Sequence, residues 1–540
     1  MKVVTAVIID TVSIQKYIFN SNKLKENLGA SHIVKSIFLS DLKDTLADLF
    51  PGHDEKNFDR WTKCEYGKNP EILLNDEKYE VGYIGGGNAL LFFAEKDDAT
   101  RFMKAFSRRI LLNYPGVTLG MAYKNDKSSD DIRNHFGKFS EEMHEALRES
   151  KNTYFPNVKI QKYGLTRDCP NSNGAADNDD WEKNMNGKKI YISSISKAKI
   201  NASKEAQNEK PKGDFEYNLT QQIDHLGQKD GENWVAVVHI DGNNMGLKFR
   251  DCDSLNELRY LSRTVKETTE ETFNTLRTTL ETHLNTNKES VEKIFEISNH
   301  ELPLRPIVIG GDDVTFVCNA KLALYLTETF INLWVKNMNS NETLKEAGMR
   351  FSACGGIVLV KTKYPFFQSY SMAEDLCSRA KLLVKKHMSS ESNKEFSSLD
   401  FYIHQNSVSG DPNDFIQDHL HFGPYFVGES AEKENHNNVN DLISGINFFE
   451  KGNEKKEKWP RSKRKTLRDA LNISETNAKK LMGELNARGL VLPYGDDIFI
   501  ETKTKEKTIK KTPYMDMIEI MEFYPELFRT WRDEDERKHA

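Results

Sequence analysis

The sequence predicts an α+β fold: two ferredoxin-like (β-α-β-β-α-β) domains in one chain, a helical connector between them and a mostly helical C-terminal domain. Three observations predict it. Two apolar runs, Val3–Ile9 and Trp234–Ile240, each end on an aspartate, Asp10 and Asp241. After a long helical stretch each is followed by a glycine-rich hairpin turn, Gly85-Gly86-Gly87-Asn88 in one half and Gly310-Gly311-Asp312-Asp313 in the other. The spacing also agrees: 75 positions separate Asp10 from Gly85, and 69 separate Asp241 from Gly310. A chain of 540 residues has room for about three or four domains.

The elements follow in order. Val3–Ile9 reads as a buried strand, because it is apolar and rich in β-branched residues. A helical stretch covers Ala30–Phe50. Gly82–Ile84 leads into the glycine turn and Ala89–Phe93 returns. Helix Ala99–Asn113 and strand Val117–Ala122 complete the first domain, residues 1–125. Residues 126–230 form the connector. Its start, 124–150, has a helical pattern, and 168–184 is rich in Asn, Asp, Gly and Ser and reads as a loop. The second domain, 231–410, opens with strand Trp234–Ile240. It continues through helix Leu255–Ile297, strands Ile307–Ile309 and Val314–Cys318, helix Ala320–Asn337, strand Arg350–Val360, helix Ser371–His387 and strand Leu399–Ile403. The C-terminal domain, 411–540, is polar and partly irregular to Lys458. An amphipathic helical segment follows at Lys463–Gly489, then a hairpin at Val491–Thr502 around Gly495, and a last helix at Pro513–Arg532.

Composition narrows the function. The net charge of −6 gives no global signature of nucleic-acid binding. The six cysteines form no C-x-x-C pair, which fits reduced thiols in a cytoplasmic protein rather than disulfides. The apolar N-terminus is too short to span a membrane and lacks a cleavage-site pattern, so a soluble protein with no membrane partner is expected.

The Gly310–Asp313 turn carries the chemistry. Glycines without Cβ let the backbone approach a phosphate, and carboxylates offer hard oxygen ligands to Mg²⁺ or Mn²⁺. This is how the palm of a polymerase or nucleotide cyclase presents metal ions at a hairpin tip. Two ions roughly 4 Å apart can join a 3′-hydroxyl to the α-phosphate of a nucleoside triphosphate. Asp241, at the end of the neighbouring strand, the main-chain carbonyl of Gly242 and Asp312 are the expected ligands, with Asp313 binding directly or through water. Asp241, Asp312 and Asp313 are thus the candidate catalytic residues. Lys381 and Lys385, four apart on one helix face, are candidates to offset the triphosphate charge. A solvated basic face is the plainer reading of that pair. In the first domain the turn carboxylates are replaced by Gly87 and Asn88, so that copy is expected to be metal-free.

With these residues assembled, the chain resembles the large, polymerase-like subunit of type III CRISPR-Cas effector complexes. Ile14-Gln15-Lys-Tyr-Ile-Phe19 followed by Leu28-Gly-Ala-Ser31 is similar to the opening of that family's first palm, and Gly85–Asn88 to its metal-free hairpin. Asp241-Gly-Asn-Asn-Met-Gly246 is similar to its D-x-D-x-[LM]-G element, and Gly310–Asp313 to its GGDD. Ser352-Ala-Cys-Gly-Gly356, Ser398–Ile403 followed by Ser409-Gly410, Trp459–Lys463 and Thr512–Asp516 are similar to later segments. The resemblance implies a cyclic oligoadenylate synthetase: the second palm joins ATP through 3′–5′ bonds into a ring that signals in defence against phage. It implies that Gly242, Asn243, Asn244, Gly310, Gly311, Lys381 and Lys385 contact nucleotide in the second palm. It further implies that Ser13, Gly85, Gly86 and Gly87 seat a second nucleotide in the first. The implied partners are CRISPR RNA complex subunits and target RNA.

The chain departs from the family in three places. The usual N-terminal nuclease domain is expected to be absent, since the first palm starts at residue 3, and His53-Asp54 does not replace its motif. Of the zinc-binding cysteines often found between the palms only Cys169 stands in that region, so no zinc is expected. Asn243 replaces the second Asp of D-x-D, which removes one charge beside the metal site. So lean a chain is compatible with working alone or with a different partner. Three other readings stay open. One is a cyclic dinucleotide synthase of the same palm type, and another is an inactive palm scaffold. The third is a DNA-binding winged helix at Lys465–Thr502, against which the overall charge speaks.

Overall fold

The computed structural model describes residues 2–539 except 53–57, 68–71, 74–76, 154–165, 173, 178–180, 184–186, 209–212, 230, 298, 389–394, 406–419, 429–435, 453–457, 496 and 504–507. His53-Asp54 and Ser409-Gly410 therefore lie outside the described residues.

The α+β prediction holds, and both ferredoxin-like sheets form. In the first, β1 (Val3–Thr11) is central and buried from Val4 to Ile9, as its Val and Ile content requires. Helices α1 (Ile14–Phe19), α2 (Leu24–Ser36) and α3 (Leu42–Leu49) follow, with α2 and α3 joined through one wide turn. Strands β2 (Tyr79–Gly85) and β3 (Asn88–Phe93) make the hairpin, then α4 (Lys96–Asn113) leads to β4 (Leu119–Ser128). The sheet order is β2-β3-β1-β4, antiparallel throughout. Strand β4 runs on to Ser128, so the helical pattern read from 124 begins only with α5 (Ser129–Asn134) and α6 (Phe136–Thr153). Beyond them the connector holds the hairpin β5 (Trp181–Lys183) and β6 (Lys189–Tyr191), then α7 (Ser194–Asn208). The stretch 168–184 read as a loop thus supplies one strand.

The second sheet begins with β7 (Trp234–Gly242), then α8 (Met245–Arg250), the long α9 (Leu255–Thr286), β8 (Leu304–Gly310) and β9 (Asp313–Asn319). Helix α10 (Ala323–Asn339), β10 (Ala353–Lys361), α11 (Phe366–Met388) and β11 (Ser397–Ile403) complete it. A short β12 (Tyr425–Val427) adds an edge from beyond residue 410, giving the order β8-β9-β7-β10-β11-β12. Its first four strands repeat the N-terminal sheet. Helix α11 seats on β10 at backbone contact. A Cβ on Gly356 would lie 1.9 Å from the Ala373 carbonyl oxygen and 2.5 Å from the Cys377 nitrogen.

The C-terminal region contains α12 (Val439–Lys451), which the polar surroundings hid from the sequence reading. It buries Val439, Leu442, Ile443, Ile446 and Phe449 on one face. The segment Lys463–Gly489 divides into α13 (Arg461–Ile473) and α14 (Glu475–Asn486), because Ser474 leaves the helix and its side chain caps the next one. The hairpin expected at Val491–Thr502 lies later, as β13 (Ile500–Lys503) paired with β14 (Thr508–Lys511). The last helix divides at Pro525 into α15 (Pro513–Ile520) and α16 (Glu526–His539). No helix of the described residues is long and apolar enough to cross a membrane. All six cysteines are free.

Candidate active site

The two halves correspond at matching positions of the strand end and the hairpin. Strand β1 ends past Asp10 and β7 past Asp241. Three residues later Ser13 and Asn244 both adopt left-handed backbone (φ 55 and 56) and start six-residue helices. In both hairpins a register shift sits three residues before the first turn glycine, at Gly82 and at Ile307. Asp10 faces Asn88 across the sheet as Asp241 faces Asp313. The correspondence extends to one pair outside the predicted set. Lys151 on α6 bonds the Asp10 carboxylate as Lys381 on α11 bonds that of Asp241. Helix α6 therefore stands to the first sheet as α11 stands to the second.

At the second tip, Asp241, Asp312 and Asp313 come together. Asp241 and Asp313 are register partners on adjacent strands, and Asp312 folds over the end of β7 from the turn. Gly242 leaves room for it: a Cβ there would stand 3.0 Å from the Asp312 Cβ. Burial and then the Asp241 charge push both Asp312 and Asp313 above the usual carboxylate range. Burial by itself would lower the Lys381 pKa, but the Asp241 carboxylate holds this ammonium charged.

Two further residues face Asp313, and sequence reasoning assigned neither a role. His239 Nδ1 lies 3.4 Å from its Oδ1 and 3.2 Å from Thr315 Oγ1, and burial keeps the imidazole neutral. The period-two rule for strands puts His239 on the face of Asp241, and that was the available signal. Gln15 reaches Asp313 from α1 of the first palm and favours its charged form. The site is thus shared between the palms, whose helices α1 and α11 also stack Phe19 on Tyr370 with ring centroids 3.7 Å apart.

A cleft of about 420 Å³ opens in front of Asp241 and Asp312. Of the residues predicted to contact nucleotide, Gly242, Asn243, Asn244, Lys381 and Lys385 line it. Leu247 and Arg250 on α8 line it too and were not predicted; both are exposed. Asn243 presents backbone only, since its side-chain amide is bonded inward to Ser352 Oγ and the Phe396 carbonyl. Gly310 and Gly311 stand at the hairpin tip, outside the cleft lining. In the first palm, Gly85 is packed so closely on α9 that a Cβ would meet Ser262 Oγ at 2.3 Å, and one on Gly87 would meet Ile14 Cδ1 at 2.2 Å. Those glycines have a packing role whether or not a nucleotide comes near. Among the described residues no group of three or more His, Cys, Asp and Glu side chains is arranged as a metal cage.

Residues 234–389 match the family model of Cas10/Cmr2, second palm domain. No curated protein matches the chain. Among solved structures, a Csm1–Csm4 cassette in complex with cA4 is similar over 97% of this chain and 70% of the matched one, with TM-score 0.55 and 13% identity. The same kind of cassette in complex with one ATP gives TM-score 0.54 at 11% identity, over 97% and 70%. Csm1 of T. onnurineus gives 0.52 at 13%, over 98% and 69%. At such identities the likeness speaks for the fold, and the family model speaks for the domain that bears Asp241, Asp312 and Asp313. Residues 234–389 thus match a second palm of the Cas10/Cmr2 kind, in a chain whose fold is similar to that of Csm1.

Proposed function

We propose that the second palm is a metal-dependent nucleotidyltransferase that joins ATP through 3′–5′ bonds into cyclic oligoadenylates, as a second messenger for antiviral defence. The observation that carries the reading is the convergence of Asp241, Asp312 and Asp313 at one hairpin tip, with Lys381 behind Asp241 in a cleft of nucleotide size. The donor set fits Mg²⁺ or Mn²⁺. The two carboxylates of Asp241 and Asp312 and the Gly242 carbonyl are hard oxygen donors. Mg²⁺ characteristically takes one or two carboxylates and completes its shell with water and substrate phosphate. Burial first, and then the Asp241 charge, raises the Asp312 and Asp313 pKa values, and a divalent cation would offset both by favouring the ionised carboxylates. Ions bound there supply activation of the 3′-hydroxyl and neutralisation of the leaving oxygens.

The chain's own residues do the rest. Lys381, released from Asp241, is placed to take triphosphate charge, with Lys385 one turn along. Asn244 begins α8 in left-handed backbone and turns the chain around the cleft. His239, neutral and buried, supports Asp313. The Asp10–Lys151 pair and Ser13 repeat the arrangement in the first palm, which supports a second nucleotide seat facing the first. Two of the similar structures are cassettes of Csm1 with Csm4, so a subunit of that kind and a target RNA are the proposed partner and trigger, with a cytoplasmic location.

The test is incubation of purified protein with each nucleoside triphosphate and Mg²⁺ or Mn²⁺, with and without candidate RNA, followed by mass spectrometry. Cyclic oligoadenylate that vanishes in Asp312→Ala/Asp313→Ala is expected. A cyclic dinucleotide would replace the product assignment. No product from the wild type under any condition would leave the scaffold reading standing.

A further inference from the structure

Four side chains of the connector meet at one point. Cys169 and Ser172 have two residues between them, Ser193 and Ser196 likewise, and twenty residues separate the pairs. With cysteine at all four positions this would be the spacing of a zinc ribbon, C-x₂-C, roughly 15–20 residues, C-x₂-C. The local fold matches that reading. The first pair sits in a tight turn closed by Cys169 N–H to the Gly174 carbonyl at 3.0 Å and Ala176 N–H to the Arg167 carbonyl at 2.8 Å. The hairpin β5–β6 lies between the pairs, and the second pair opens α7. Cys169 Sγ is 3.6 Å from Ser196 Oγ, and Ser172 Oγ is 3.2 Å from Ser193 Oγ. Gly174 N–H donates to Ser172 Oγ at 3.4 Å and Ser196 N–H to Ser193 Oγ at 3.2 Å.

We propose that residues 169, 172, 193 and 196 form a zinc-ribbon knuckle in which hydrogen-bonded hydroxyls stand where three of the four thiolates would be, so that the connector folds without metal. The chemistry of the donors supports this. Structural zinc is held by thiolate, imidazole or carboxylate, and a serine hydroxyl keeps its proton at neutral pH. A hydroxyl also donates, which a metal-bound thiolate does not. Ser196 Oγ donates to Glu26 Oε2 at 3.1 Å, and Glu26 is only 1% exposed. Its Oε1 carries no hydrogen bond, and the carboxylate would crowd a negatively charged zinc tetrathiolate. Helix capping alone accounts for Ser193, which bonds the N–H three residues on. It does not account for the approach of Cys169 and Ser172 to that cap, nor for the ribbon spacing.

The experiment uses the full chain. Wild type from zinc-supplemented medium is expected to carry no stoichiometric zinc, and a chelator should leave its thermal midpoint unchanged. Ser172→Cys/Ser193→Cys/Ser196→Cys, made with and without Glu26→Gln, is expected to take up one Co²⁺ per chain with the visible absorption of tetrahedral thiolate ligation. Zn²⁺ should displace that ion. Bound zinc or chelator sensitivity in the wild type overturns the proposal. So do folded thiol variants that take up no Co²⁺, and so does failure of both thiol variants to fold with Zn²⁺ supplied.

Discussion

Asn243 donates its side-chain amide to Ser352 Oγ at 2.8 Å and to the Phe396 carbonyl at 3.2 Å, and it is 4% exposed. In the sequence it reads as a carboxylate lost from a metal site. In the fold it is a buried donor facing a carbonyl. Asn243→Asp is therefore expected to destabilise the protein by about 1–3 kcal/mol, since it sets an acceptor against an acceptor. Urea unfolding followed by circular dichroism measures this, and a more stable or more active Asp variant would contradict the assignment. Lys381 is legible from the sequence as a basic helix residue, but its partner Asp241 is not. Lys381→Met keeps the stem and removes the charge. It is expected to raise the KM for ATP about ten- to a hundredfold, the range of one or more charge-assisted hydrogen bonds. An unchanged KM would return Lys381 to the solvated basic face.

The repeated hairpin was legible as an element because glycine turns and the aspartates before them recur at similar spacing. The matching register shifts at Gly82 and Ile307 were not: a glycine inside a strand marks the first, but Ile307 is an ordinary strand residue and carries no such mark. Helix α6 was read as connector because its polar pattern does not say which sheet it covers. Its contacts in the fold assign it to the first palm: Lys151 meets Asp10, Ser150 Oγ donates to the Met121 carbonyl of β4, and Phe139 packs on Phe92 of β3. Helix α11 makes the energetic side of such packing testable. Gly356→Ala puts a methyl group into the backbone of α11 between Ala373 and Cys377. Overpacking of this kind costs about 1–3 kcal/mol, and lifting α11 off the sheet moves Lys381 away from Asp241. A lower thermal midpoint and a larger loss of activity than of stability are expected together. Wild-type activity in this variant would show that α11 does not position the lysine.

Two junctions hold the larger units together. Arg259 on α9 of the second palm is buried against β2 of the first. It donates to the carbonyls of Gly82 and Val81 and lies 2.9 Å from Glu80, itself 2% exposed. Arg259→Met is expected to cost about 3 kcal/mol, because Glu80 loses one of its two arginines inside the protein. Chemical denaturation checks it. The second junction joins α11, β11, β12 and α15. His421 lies 2.7 Å from Asp400 and 3.4 Å from Asp516; Arg379 bonds Asp400, and Tyr425 bonds Asp516. Burial alone would lower the His421 pKa, but the two carboxylates overcome it and hold it at about 10, against an ordinary 6.5. With the folded value raised, its stabilisation is complete below about pH 6.5 and is lost as pH rises towards about 10. The thermal midpoint should fall across that window in the wild type and much less in His421→Gln. Parallel curves would remove His421 as the cause.

By itself the sequence determined the α+β class, the order of strands and helices in both palms, the GGDD tip and the aspartate that ends the strand beside it. These depend on period, turn residues and spacing, all local properties of the chain. Only the tertiary structure decided which groups face one another. It turned Asn243 inward, brought Gln15 of one palm and His239 of the other to Asp313, and paired both lysines with their aspartates. It also packed Gly85 on α9 and Gly87 on α1, and gathered two pairs of connector side chains, with twenty residues between the pairs, into one knot. Each of these rests on contacts between segments distant in sequence, and long-range contact is what periodicity and composition do not encode.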